Sequence, residues 1–185
     1  MTRKIAILIF VGLLLGLAGW QLARAGLMAG KAFMAPILIG MAWDEAIEQG
    51  KPVLPWPWAD SYPSVRIEVP ELGVTRYVLA GDNMRNLAFG PVLADMTSAS
   101  VLYGHRDTHF RFIKDLQNGQ ELLFQRAGES SARWRVAHNE VVEAEDLAVP
   151  SVGGEKPLLL VTCFPFDAID PDTDLRYVVW LERIA

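Results

Sequence analysis

Cysteine is nearly missing from this chain of 185 residues, which contains only Cys163. A lone cysteine closes no internal disulfide, so in an oxidising compartment its thiol stays free unless another molecule pairs with it. An excess of basic residues is missing too: 17 Lys and Arg face 22 Asp and Glu, for a net charge of −5. That excludes the clustered cationic footprint of a nucleic-acid-binding protein, and no nucleic acid is expected as a partner. No internal repeat or low-complexity tract is visible, which excludes a solenoid. The G-x-S-x-G elbow of serine hydrolases and the H-E-x-x-H motif of zinc proteases are both absent.

Charge is also absent from residues 5–23, which follow Arg3 and Lys4. A helix of that length covers the roughly 30 Å hydrocarbon core of a bilayer. The basic flank keeps the N-terminal end in the cytoplasm and puts everything after Arg24 on the far side. A cleaved signal peptide is the rival reading, because Ala23-Arg24-Ala25 has the small-x-small form of a cleavage site. The length of the apolar core, and Trp20 near its outer end, favour a retained anchor. Gly12 and Gly16 have helix-dimer spacing, but such pairs are common in any transmembrane helix.

Three segments are expected: a cytoplasmic tip and transmembrane anchor over 1–25, a membrane-proximal helix and Pro/Trp-rich linker over 26–64, and a catalytic domain over 65–185. The apolar, Met-rich stretch 27–49 is interrupted by Pro36, acquires Asp44, Glu45 and Glu48 on a helical period, and is expected to be a helix with a kink at the proline. It reads either as a strut leading from the membrane or as an amphipathic helix packed on the domain. Pro52, Pro55, Pro57 and Pro63 then exclude helix and central strand. Trp56 and Trp58 in this linker are expected to cover a neighbouring surface.

Beyond the linker, short runs rich in β-branched and aromatic residues are bounded by turn formers, at 65–69, 74–79, 100–103, 121–126, 133–143, 157–162 and 176–183. Only short helical pieces fit between them, around 83–89 and 110–116. The expected fold class is mostly β, a single barrel or sandwich of seven to eight strands with short helices.

Three residues are candidates for chemistry. Cys163 ends the apolar run Leu158-Leu159-Leu160-Val161-Thr162, so a buried strand delivers the thiol to its exit. Taken alone, such a cysteine is as readily a small core hydrophobe. His105, in Tyr103-Gly104-His105-Arg106-Asp107-Thr108-His109-Phe110, also follows a predicted strand. An imidazole there could exchange protons near neutral pH and stabilise a thiolate. Arg176 opens the last strand, and an antiparallel hairpin would return its guanidinium to the thiol, as a donor to a tetrahedral oxyanion. His109 competes locally with His105, and the pair raises zinc with Asp107 or Cys163, but the spacing lacks a catalytic Glu and no metal or cofactor is expected. His138 reads as a structural or surface histidine. Asp167, Asp170, Asp172 and Asp174 read as a solvated acidic loop, without the Gly and Glu of an EF-hand.

In this order, Gly104-His105-Arg106, Leu160-Val161-Thr162-Cys163 and Leu175-Arg176-Tyr177 resemble the signature of the sortases, over residues 65–184. Pro55-Trp56-Pro57-Trp58-Ala59-Asp60, the segment His105 to Phe110 and Thr162-Cys163-Phe164-Pro165-Phe166-Asp167 resemble the Gram-negative group, class GN. One departure is visible, since Leu159 stands where the family usually has the first Thr of Thr-Leu-x-Thr-Cys. Papain-like and NlpC/P60-like enzymes place Cys before His, and L,D-transpeptidases carry a Ser-His-Gly-Cys motif absent here.

The resemblance implies a sortase β-barrel that acts as a membrane-anchored cysteine transpeptidase. Cys163 would attack a peptide carbonyl in a C-terminal Leu-Pro-x-Thr-Gly-like sorting signal of a secreted protein and form a thioester, which an amine acceptor resolves. His105 would shuttle the proton and Arg176 would hold the oxyanion, with the Phe164 N–H as an auxiliary donor. The implied location is the inner membrane, with the catalytic domain in the periplasm. The alternatives are hydrolysis of the thioester by water, making a processing protease, and a non-catalytic periplasmic β-domain in which Cys163 is merely packed.

Overall fold

The computed structural model describes residues 2–96, 98–147, 156–168 and 173–184. The chain divides into two compact units, Met1–Ala35 and Pro36–Ala185. One helix, α1 (Thr2–Gln49), supplies the whole of the first unit's described structure and the opening of the second. Within the first unit, Arg3–Leu27 is long and apolar enough to cross a membrane, its 25 residues extending about 37 Å at helical rise.

Pro36 lies inside the helix and does not end it, in keeping with a single helix over 27–49. In the second unit, Ile39, Ala42, Trp43 and Ala46 recur at helical spacing and are all buried. The Trp43 ring meets Tyr77 of the barrel at 5.9 Å, and a Cβ on Gly40 would lie 3.1 Å from the same Tyr77 ring. This end of α1 therefore packs as an amphipathic helix, and Gly40 permits its close approach. From the linker, Trp56 packs edge-on against Phe89 at 5.2 Å, whereas Trp58 is 80% exposed and so is not the surface-covering residue expected.

Eight strands follow: β1 (Pro63–Val69), β2 (Val74–Ala80), β3 (Val92–Asp95), β4 (Ser100–Tyr103), β5 (Glu121–Arg126), β6 (Ala132–Glu143), β7 (Leu158–Cys163) and β8 (Leu175–Arg183). They close into a barrel in the order β1-β2-β3-β4-β7-β8-β6-β5, with short 3-10 turns between strands, as expected for the fold class. Closure leaves no long sheet edge for other chains to pair with. Strand β3 was not foreseen in the sequence: it has four residues, three of them buried, and no polar alternation to reveal it. The β2–β3 and β4–β7 pairs are parallel and the other neighbours antiparallel.

Two apolar clusters result from the alternation of side chains along the strands. Leu158 and Leu160 of β7 join Val65, Ile67, Leu102, Leu122, Val179 and Leu181 in the main core. Leu159 and Val161 point the other way, into a second cluster with Val101 and Val178 that Tyr103 and Trp180 partly cover. Strand β7 is thus apolar on both faces, which is why it reads in the sequence as an unbroken hydrophobic run.

Candidate active site

Register alone brings the three candidate residues to one end of the barrel. In the parallel pair, Tyr103 of β4 lies opposite Val161 of β7. Two residues further along each strand come His105 and Cys163. In the antiparallel pair, Cys163 lies directly opposite Arg176 of β8. Cys163 and Arg176 continue the parity of Val161 and Val178, so they belong to the face of the second cluster, as does Tyr103. Burial pushes the Tyr103 hydroxyl pKa upward, and the Arg176 cation nearby partly opposes this.

The ends of β4 and β7 are fastened to each other. The Gly104 N–H donates to the Val161 carbonyl at 3.2 Å, and the buried Thr162 hydroxyl donates to the Gly104 carbonyl at 2.6 Å. The turn after β4 closes on itself, since the Phe110 N–H donates to the His105 carbonyl at 2.9 Å. Phe110 is fully buried, and its ring sits so close to Gly104 that a Cβ there would lie 2.5 Å from it. Glycine is required at 104 because the Phe110 ring occupies the space of any side chain. With the backbone anchored on both sides, His105 is exposed above the turn and Arg106 is buried beneath it.

Cys163 is half-buried and free. Among the described residues, neither its thiol nor the His105 imidazole has a hydrogen-bond partner. Arg176 donates through Nη1 to the carbonyls of Thr173 at 2.5 Å and Leu175 at 2.9 Å. Among the described residues its Nε and Nη2 are unengaged. The Phe164 N–H donates to the Leu175 carbonyl at 3.0 Å, so the auxiliary oxyanion donor expected from the sequence is already committed to closing the β7–β8 connection. Around the end of β7, Phe164, Phe166 and Tyr177 form a half-buried aromatic group, with Phe166 and Tyr177 edge-on at 5.2 Å and both packed against the main core. These residues lie in the motifs that carry the family resemblance, but the sequence assigns no role to their rings.

The two histidines of the turn are in different surroundings. Burial lowers the His109 pKa to about 4, helped by electrostatic interaction with His105 and Arg76, with a backbone hydrogen bond to Leu87 opposing. His109 is therefore neutral at neutral pH and a poor proton donor there. Its carbonyl accepts from Arg76 Nε at 3.1 Å. His138 is exposed on β6 and stacks on Trp180 at 5.5 Å, far along the strand from these residues. Among the described residues no group of three or more His, Cys, Asp or Glu could hold a metal ion. Of the acidic loop, Asp170 and Asp172 lie outside the described residues, while Asp167 and Asp174 are exposed.

The closed eight-stranded barrel presents a free thiol at the exit of a buried strand, with an arginine opposite in register and a histidine after the neighbouring strand, residue types suited to acyl transfer through a cysteine. The family model described as Sortase domain matches residues 67–184, more than half of the chain. The chain belongs to the sortase family, a family of cysteine transpeptidases. It is 27% identical over 126 residues to Sortase D of Bacillus subtilis, a match that covers 64% of this chain and 62% of that relative's length. Two solved structures share the fold. Sortase C-1 from Actinomyces oris superposes with a TM-score of 0.58 at 24% identity, over 68% of this chain and 76% of that one. A lid mutant of sortase A from Corynebacterium diphtheriae gives 0.57 at 20% identity, over 69% and 73%.

Proposed function

We propose that the chain is a membrane-anchored sortase of the Gram-negative type that cleaves a C-terminal LPxTG-like sorting signal and transfers the cleaved protein to an amine. The observation that carries this reading is the register: Cys163 faces Arg176 across β7 and β8, and His105 leaves the strand parallel to β7. In the acylation step the Cys163 sulfur forms a bond to the scissile carbonyl carbon and the oxygen takes up negative charge. The unengaged nitrogens of Arg176 are the donors for that charge. The C–N bond then breaks, and protonated His105 gives its proton to the departing amine. In the second step an incoming amine attacks the thioester, His105 accepts its proton, and the thiolate leaves.

The apolar helix Arg3–Leu27, whose first two residues are the basic Arg3 and Lys4, supports anchoring in the inner membrane with the barrel in the periplasm. A single cysteine suits that compartment, because no internal disulfide competes for the nucleophile. The division proposed is an anchor over 1–25, a membrane-proximal helix and linker over 26–64 and the catalytic barrel over 65–185.

The test is an LPxTG-like peptide offered to the full chain in detergent, with and without a short glycine peptide as the amine. The reading requires cleavage that disappears in Cys163→Ala and a new amide product when the amine is present. Products ending only in a free carboxylate would make the enzyme a processing protease. A Cys163 that does not react with a thiol-directed vinyl sulfone at neutral pH would make the barrel a non-catalytic module.

A further inference from the structure

Arg106 has no part in the scheme above, yet among the described residues it is the one charged side chain that is fully buried, at 5% exposure. Removing a guanidinium from water costs several kcal/mol unless its donors are satisfied, so the contacts it makes there show what it is held for. Nη2 donates to the Ala168 carbonyl at 2.8 Å, Nη1 lies 3.5 Å from the Thr173 hydroxyl, and Nε is 3.8 Å from the Asp107 carboxylate. Ala168 and Thr173 belong to the β7–β8 connection, on either side of residues 169–172. The Thr173 carbonyl in turn accepts the 2.5 Å bond from Arg176 Nη1. A continuous path therefore runs from His105 through its peptide bond to Arg106, across to Thr173, and on to Arg176.

We infer that Arg106 is a positioning residue. It ties the β7–β8 connection to the turn that carries His105, and by holding Thr173 it fixes the direction of the Arg176 guanidinium. The planar fork of arginine suits this task, because two nitrogens reach two separate acceptors at once, where a lysine ammonium on its flexible stem would not hold both. Asp107 is 71% exposed, so its long contact adds little to the tether. Because the oxyanion is fully formed only near the transition state, misdirecting Arg176 lowers kcat more than it raises KM. The catalytic half of this inference rests on the sortase reading, while the tether itself does not.

The experiment uses the full chain in detergent, with Arg106→Met, Arg106→Lys and Thr173→Val, each made alone and in an Arg176→Ala background. Hydrogen exchange reads the tether without reference to activity: amides of 164–168 and 173–176 should exchange faster in Arg106→Met, and less so in Thr173→Val, which leaves the bond to Ala168 in place. Cleavage kinetics read the consequence. Arg106→Met should lower kcat about 10- to 100-fold with KM changed less than about threefold, and in the Arg176→Ala background, followed at high enzyme concentration, it should cost under about twofold more. Equal losses in both backgrounds, or a loss carried by KM, would overturn the positioning role. Unchanged exchange in all three variants would overturn the tether. Should Arg106→Met fail to fold, Arg106→Lys and Thr173→Val carry the same comparison. Should the wild type cleave no sorting-signal peptide, the proposed function fails while the exchange measurement still decides the tether.

Discussion

Strands β4 and β7 run side by side, and the side chains at their two ends are held in opposite ways. At the end where both strands begin, polar groups are paired. Asp95 accepts from Lys156 at 2.6 Å and from the Ser100 hydroxyl at 2.8 Å and lies 3.3 Å from Arg126, which also donates to Ser100 at 3.1 Å. Hydrogen bonds from Lys156 and Ser100 and the Arg126 cation lower the Asp95 pKa, although burial acts to raise it. At the end where both strands finish, Cys163 and His105 have no hydrogen-bond partner among the described residues, and Arg176 engages one nitrogen only. The groups around them are tightly fixed, through Gly104, Phe110, Thr162 and Arg106. Paired charges stabilise a structure but have nothing left to offer a substrate. Unpaired groups on a rigid backbone can act on one.

The comparison breaks most sharply under substitution at the finishing end. His105→Ala and Arg176→Ala should each reduce kcat for a sorting-signal peptide by about 10²- to 10³-fold or more, while the melting temperature moves little. Steady-state cleavage alongside calorimetry separates the two effects, and a large drop in melting temperature would show that these groups are structural. Gly104→Ala attacks the support rather than the reacting groups. A methyl group 2.5 Å from the Phe110 ring should destabilise the barrel by about 1–3 kcal/mol, read as a lower denaturant midpoint, with activity falling as the His105 turn shifts.

His109→Asn sharpens the contrast between the two histidines. The folded-state pKa of His109, about 4, lies below its unfolded value near 6.5, so between those limits the unfolded chain binds more protons and stability falls as pH falls. The variant should remove that loss, flattening stability between about pH 6.5 and 4 by roughly 1–2 kcal/mol after allowance for solvent screening. Urea melts at a series of pH values check it. The smallest effect belongs to the starting end: Asp95→Asn should cost about 0.2–1 kcal/mol and leave kcat unchanged, because these ions are partly exposed and remote from the thiol.

Much of the barrel was legible because β-branched runs and turn formers mark its strands, and β4 and β5 fall on residues 100–103 and 121–126 as expected. Strand β3 was hidden because it has only four residues, the first three buried in succession, and so shows no period. The candidate cysteine, histidine and arginine were each found at a strand end, and pairing brings those ends together. What the sequence could not show was the use of individual donors: the Phe164 N–H is taken by Leu175, and Arg106, an ordinary surface type by composition, is buried as a tether. Partner choice of this kind depends on three-dimensional register and leaves no periodic trace. Trp56 and Trp58 show the same limit, since two residues of one type in one linker differ in whether a surface lies within reach.

The central claim is that Cys163 forms a thioester. Intact-mass measurement of the full chain, quenched in acid during turnover of an LPxTG-like peptide, tests it directly. The account predicts an added mass equal to the peptide up to its scissile carbonyl, mapped to Cys163, released by hydroxylamine and missing in Cys163→Ala. Cleavage with no such adduct in the wild type, or an adduct that survives in Cys163→Ala, would contradict it.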